Sequence, residues 1–203
     1  MQKGGDDWVS RTTAQAAGFA IGGEELAIDL ADTIITTTDP HTDALAGADR
    51  LETFWALQMP RLPEGARAPG RRATVALRTA VREILDAALA GRSPRATSIS
   101  QVNDAAAGAT QWVALDHRGD TYTADVRWVA PNGASIALAA VAQSLIDVVN
   151  SPRLERLRQC ANPNCSMLFL ADDARRKWCT PNICGNRARV ARHYHRHQGE
   201  ALE

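Results

Sequence analysis

The residues best placed to do chemistry are four cysteines near the carboxyl end. They read Cys160-Ala-Asn-Pro-Asn-Cys165 and Cys179-Thr-Pro-Asn-Ile-Cys184, and they are the only cysteines of the 203-residue chain. Each pair is Cys-x4-Cys, with 13 residues between the pairs. Two turns that each present two thiolates can surround one tetrahedral ion, and zinc favours such a shell. The competing readings are two disulfides or four unrelated buried thiols. Disulfides need an oxidising compartment, and no secretory signal is evident at the amino end. Unrelated thiols would not fall into two equal, turn-rich pairs. Cys160, Cys165, Cys179 and Cys184 are therefore the expected ligands of one Zn2+. Sulfur fills all four positions, which makes the ion structural rather than catalytic.

The residues after the last pair predict a helix. Thr180 suits an N-cap and Pro181 the first helical position, and the helix would run to about residue 197. At about 100° per residue, Ile183, Val190, Ala191 and Tyr194 share one side. Arg189, Arg192, His193 and Arg196 share the other, a cationic stripe. Arg187 falls on the apolar side and is expected to face the thiolates or a buried carboxylate. Arg175, Arg176 and Lys177, just before Trp178, extend the positive surface. Phe169 and Trp178 are expected to form the small core beside the ion. His193, His195 and His197 do not offer enough donors for a second ion.

Arg-Arg-Lys-Trp-Cys179, four residues, then Cys184-Gly185-Asn186-Arg187-Ala-Arg-Val-Ala-Arg-His resembles the CGNR zinc finger family over residues 153–197. In that family the finger follows a front part called the ABATE domain. The resemblance implies a stress-induced transcription regulator. It also points to the opening of ABATE: a strand, a glycine turn, then a helix with Asn-Thr near its end. This chain has Asp32-Thr33 at that place.

Net charge is zero, yet it is unevenly spread. Residues 1–152 carry 13 basic and 18 acidic residues; residues 153–197 carry 10 and 3. Four thiolates on a dication lower the second figure by about 2 and leave it basic. Such asymmetry suggests a polyanionic partner for one end only, or a basic module docked on its own acidic domain. No apolar run is long enough to span a membrane. Reduced thiols holding metal fit the cytoplasm.

The elements that must position this site are mostly helical. Residues 1–17 read as a polar tail, 18–152 as an ABATE-like domain, and 153–198 as the finger. Residues 19–23 suggest a short strand closed by glycines, followed by a helix from 24 to about 35. Further helices are expected at 49–58, 72–90, 98–108 and 135–149. Strands at 111–115 and 121–128 should form a hairpin turning at residues 117–120. Arg71, Arg72, Arg78 and Arg82 are read as the solvated side of the longest helix. The expected class is α+β, mainly helical, with a small antiparallel hairpin and a treble-clef-like or ribbon-like finger ending in a helix.

No catalytic motif appears: there is no Gly-x-Ser-x-Gly, His-Glu-x-x-His or phosphate loop. Gly22 and Gly23, before a helix, could present N–H groups to an anion, or simply make a tight turn. Asp29 and Asp32 share a helical face and are candidates for lining a ligand pocket, against the plainer reading of solvated carboxylates.

The reading that follows is a non-enzymatic regulator. Its finger contacts DNA through Arg175, Arg176, Lys177, Arg189, Arg192, His193 and Arg196, and its front domain senses a small molecule or a partner. Pairing as a homodimer would suit two half-sites, though no dimer motif is visible. The rival is a ligand-binding or catalytic front domain capped by a purely structural finger. RNA binding shares the electrostatics but lacks an aromatic platform for stacking.

Overall fold

The computed structural model describes residues 11–19 and 23–190. Its helices are α1 (Arg11–Ala16), α2 (Leu26–Ala31), α3 (Ala48–Gln58), α4 (Arg71–Leu89), α5 (Ala96–Ala107) and α6 (Ile136–Val149). Three separate two-stranded antiparallel sheets accompany them: β1 (Ile34–Ile35) with β2 (Thr42–Asp43), β3 (Thr110–Arg118) with β4 (Thr121–Val129), and β5 (Leu157–Gln159) with β6 (Leu168–Leu170). The fold is α+β and mainly helical, as the sequence predicts.

Helix α4 shows why the longer helices form where they do. Leu77, Ala80, Val81, Ile84 and Leu85 recur at three- and four-residue spacing and are buried. Gly91, at φ +61°, ends the helix. Its N–H reaches the Ala88 carbonyl, and the Arg92 N–H reaches Ala87, a Schellman closure that needs a left-handed residue. Helix α6 packs against α2, α4 and α5, and Ser135 caps it by accepting the Leu138 N–H at 3.2 Å. The core also takes Phe54 and Trp55 of α3, with Trp55 Nε1 donating to Thr74 Oγ1 at 3.2 Å.

Five expectations need correction. Within the supposed tail, residues 11–16 form α1, and Ala14 is fully buried. Gly18 closes this helix in the same Schellman manner. Phe19 packs on Phe54 and beneath the Arg50 guanidinium rather than in a strand; residues 20–22, Gly22 included, lie outside the described residues. Helix α2 stops at Ala31 instead of 35. Thr33 turns its hydroxyl back to the Leu30 carbonyl, and the β-branched run that follows pairs with β2.

The fourth correction concerns charge. Arg78 and Arg82 are buried, not solvated. Arg78 pairs with Asp43 at 2.5 Å, and Arg82 lies 3.6 Å from Asp32 and 2.9 Å from Asp86. A helix seen alone cannot show that another segment lies over its polar side. Fifth, the hairpin is longer than expected. His117 and Arg118 belong to β3, and only Gly119 and Asp120 make the turn.

The carboxyl-terminal segment is bound to this helical body through β6. Strand alternation sends Leu168 into the main core and Phe169 into a second cluster with Cys160, Met167, Cys179 and Cys184. Leu157, across the β5–β6 ladder, also joins the main core. The Leu168 N–H is accepted by both oxygens of Asp32, at 3.0 and 3.1 Å, and the Leu170 N–H by Glu24 at 3.2 Å. Burial pushes the Asp32 carboxyl well above the usual range; the Leu168 N–H and Arg82 oppose that shift.

Asp32→Ala should therefore strip an acceptor from Leu168 and a counter-charge from Arg82, costing about 3–5 kcal/mol. Asp32→Asn keeps an acceptor and should cost only about 1–2 kcal/mol. Urea unfolding of the two variants checks the order; equal losses would show that the Leu168 contact carries no weight.

Candidate metal centre

The first cysteine knuckle begins where β5 ends. The Cys160 N–H bonds the Met167 carbonyl at 2.9 Å. Asn162 then makes an Asx turn: its Oδ1 accepts the Asn164 N–H at 3.0 Å, and its carbonyl accepts the Cys165 N–H at 2.9 Å. The Met167 N–H is directed at the Cys165 sulfur. The Ala161 N–H bonds the Lys177 carbonyl at 2.9 Å, which fixes the first knuckle beside the second.

The second knuckle runs through Thr180 into a wide helical turn, Pro181–Gly185, and residues 186–190 continue as α-helix. Thr180 is extended as an N-cap should be, but its hydroxyl sits 3.6 Å from the Cys179 sulfur and caps nothing. Gly185 explains one letter of the motif. A Cβ there would lie 3.2 Å from the Trp178 ring, tighter than an ordinary contact.

All four sulfurs lie within 4.8 Å of one another. Cys165 and Cys179 are 3.8 Å apart, and Cys179 and Cys184 are 3.7 Å apart. Two thiolates held about 2.3 Å from one tetrahedral ion stand ~3.8 Å apart. The spacing thus fits one ion in an all-sulfur shell, with no position left for substrate or water. The same packing governs the metal-free thiols. Cys179 accepts from the Cys165 S–H and falls to about 5, while Cys165, as donor, is pushed far up. Burial and the neighbouring Cys179 raise Cys184 to about 11. The sulfurs share protons that an ion must displace, so uptake releases acid.

The expected nucleic-acid contacts divide. Arg175 is 91% exposed along its side chain, with a local pair to Asp173 at 3.0 Å. Lys177 and Arg189 are exposed. Arg192, His193 and Arg196 lie outside the described residues. Arg176 is turned inward, contrary to its expected place on the surface. It lies 4.4 Å over the Phe169 ring, pairs with Glu24 at 3.2 Å and donates to the Cys179 carbonyl at 2.9 Å. A guanidinium has five donors in a fixed plane, which lets one residue join the knuckle, the small core and the helical body.

Asp29 and Asp32 are likewise buried rather than solvated. Asp29 accepts from Arg61 at 2.6 Å, Gln58 at 3.2 Å and the Glu24 N–H at 3.1 Å. Burial outweighs these partners and holds its carboxyl above the usual range. Gly23, at φ +68°, lines a small cleft with Glu24, Glu25 and Arg153. Sequence reasoning missed a cavity of about 370 Å³ that opens on the metal site, lined by Cys165, Cys179 and Cys184 and by Phe19, Ile35, Met167, Ile183 and Arg187 among others. Its walls come from segments some 150 residues apart, and no local pattern announces it. Arg187 is exposed at this opening, and Val190, expected on the packed side, is 47% exposed.

Cys179→Ser removes the sulfur that touches two others. The purified variant should lose its ion, whereas the wild type should carry one ion per chain by elemental analysis. Hydrogen exchange should then rise in residues 160–185 and stay low in α4 and α6. A variant that keeps a full complement of metal would contradict the four-sulfur shell.

Comparison with known families agrees with this layout. A model described as "Putative stress-induced transcription regulator", ABATE, matches residues 24–152, and the CGNR zinc finger model matches residues 156–197. No curated protein matches the chain. The first match covers more than half of the sequence, and the chain belongs to the ABATE family, with a CGNR zinc finger behind that domain.

Proposed function

We propose that the chain is a zinc-dependent transcription regulator whose finger binds duplex DNA and whose front domain responds to a small molecule. The family description supports a regulatory role. The DNA reading rests on one observation above others: Arg175, Lys177 and Arg189 point to solvent beside a metal shell that has no open position. Were the finger a cap alone, these cations would face the acidic helical body, as Arg176 does. Arg189, Arg192, His193 and Arg196 share one side of the predicted helix and would extend the surface. Most contacts would be to phosphates, so affinity should fall steeply with salt.

Effector sensing is assigned to the cavity beside the cysteines, not to Asp29 and Asp32. Phe19 and Ile35 come to it from the helical body, and Met167 and Ile183 from the finger. A ligand there would touch both parts and so bias how they sit together.

Salt-titrated anisotropy with duplex DNA tests the first claim. Arg189→Glu combined with Arg192→Glu should lower affinity at least tenfold and flatten the log–log salt slope by about 2, with metal content unchanged. Arg176→Ala should lower the melting temperature and leave the slope alone. Wild-type protein that shows no salt-sensitive binding, or a double variant that binds as tightly as wild type, would leave the rival reading of a structural cap.

A further inference from the structure

The β3–β4 hairpin is the one large feature that the metal centre and the DNA reading leave unused. Its register places nine residue pairs on two faces. Residues paired across an antiparallel ladder share a face. One face carries Gln111, Val113, Leu115 and His117 from β3, opposite Trp128, Val126, Ala124 and Tyr122 from β4. It holds no Asp, Glu, Lys or Arg. The other face carries all the hairpin's paired charges, Asp116, Arg118, Asp125 and Arg127, with Arg127 and Asp116 at 2.9 Å, and has Trp112 and Val129 half-exposed near the root.

This is the alternation of a sheet with one side meant for burial. At the root, Trp128 does pack against the main core. Beyond it the apolar side is open. Val113 is 69% exposed, Leu115 73%, Tyr122 70% and Val126 57%. At the tip, the His117 and Tyr122 rings lie 4.5 Å apart and continue the same surface. Among the described residues, β3 and β4 pack chiefly on each other. A two-stranded ribbon of this length is marginal in water unless something covers a face.

We propose that this face is a dimer interface, covered by the same face of a second copy of the chain. Three observations favour a second copy over a different partner. The exposed apolar side chains amount to on the order of 500 Å², the larger part of the ~800 Å² per partner that a standard interface buries. No Asp, Glu, Lys or Arg lies on the face, so a two-fold axis brings no like pair of these together. Nor does the face offer a charge by which a different protein would be selected; the charges sit on the opposite side, where they would stay in water. The hairpin's core-anchored root fixes the direction in which it projects, so the paired ribbons would hold two helical bodies at a set distance.

The test does not depend on DNA or metal binding. Sedimentation of the metal-loaded full chain over a concentration series should show a monomer–dimer equilibrium with a dissociation constant in the micromolar range. Leu115→Glu with Val126→Glu puts two charges on the apolar face and should raise that constant more than about 100-fold. Thr121→Glu with Thr123→Glu puts the same charge on the opposite face and should leave it within about threefold. Helical circular dichroism and metal content should match wild type in both. A milder pair, Leu115→Thr with Val126→Thr, keeps strand-forming residues and should weaken association by an intermediate amount. A wild type that stays monomeric at every concentration overturns the proposal, whether a different protein or the chain's own ends cover the face. Equal dimerisation of the two charged variants overturns it as well.

Discussion

Four sulfurs converging on one point are the constraint from which the carboxyl-terminal third takes its shape. That segment has one small apolar cluster of its own, built of Phe169, Met167, Ala171 and the cysteines themselves, with Trp178 half-buried beside it. A core of that size does not fix a fold without a staple. The ion supplies one, and each local detail serves its position: the Asx turn at Asn162, the close approach of Gly185 to Trp178, the hydroxyl of Thr180 near sulfur. The four sulfurs themselves lie within 4.8 Å of one another.

The second constraint is the joint between this module and the helices. An edge strand with free N–H groups invites mispairing. Here β6 is closed by carboxylates: Asp32 takes the Leu168 N–H and Glu24 the Leu170 N–H. Asp32 is buried and Glu24 half-buried, and Arg82 and Arg176 partly compensate them. Buried charge of this kind contributes little net stability. It does penalise any arrangement in which the partners separate. The joint is therefore specific without being strong, which is the property a domain contact needs if a ligand in the adjoining cavity is to shift it.

Much of this was legible in the sequence. Spacing alone gave the sulfur cluster, because metal geometry restricts where ligands can sit. Periodicity gave α3, α4, α5 and α6, because each repeats its apolar face over three turns or more. Charged residues were the ones misread. Arg78, Arg82, Asp29 and Asp32 looked solvated and are buried, and Arg176 is half-buried and turned inward. Each is compensated by a group 30 to 150 residues away in the chain, and a helical wheel contains no such information. The one sequence-level hint was Asp32 itself. It stands where the family resemblance leads one to expect an amide, and the structure gives that carboxylate two tasks: accepting the Leu168 N–H and lying beside Arg82.

The hairpin teaches the complementary point. Its alternation was visible in the second strand, and alternation is normally taken as evidence that one face is buried. The structure supplies the strands and the register but not the cover. An uncovered face with no Asp, Glu, Lys or Arg on it is better explained by something outside the chain than by tolerance of exposure. Leu115 and Tyr122 could have been polar at no cost to the ladder, since strand propensity is satisfied by threonine as readily as by leucine. An apolar or aromatic residue at each of the four cross-strand pairs on this face, with the charges on the opposite side, fits a surface kept for contact. The same sorting keeps the exposed cations Arg175, Lys177 and Arg189 beside the cysteines and leaves one face of the ribbon without Asp, Glu, Lys or Arg.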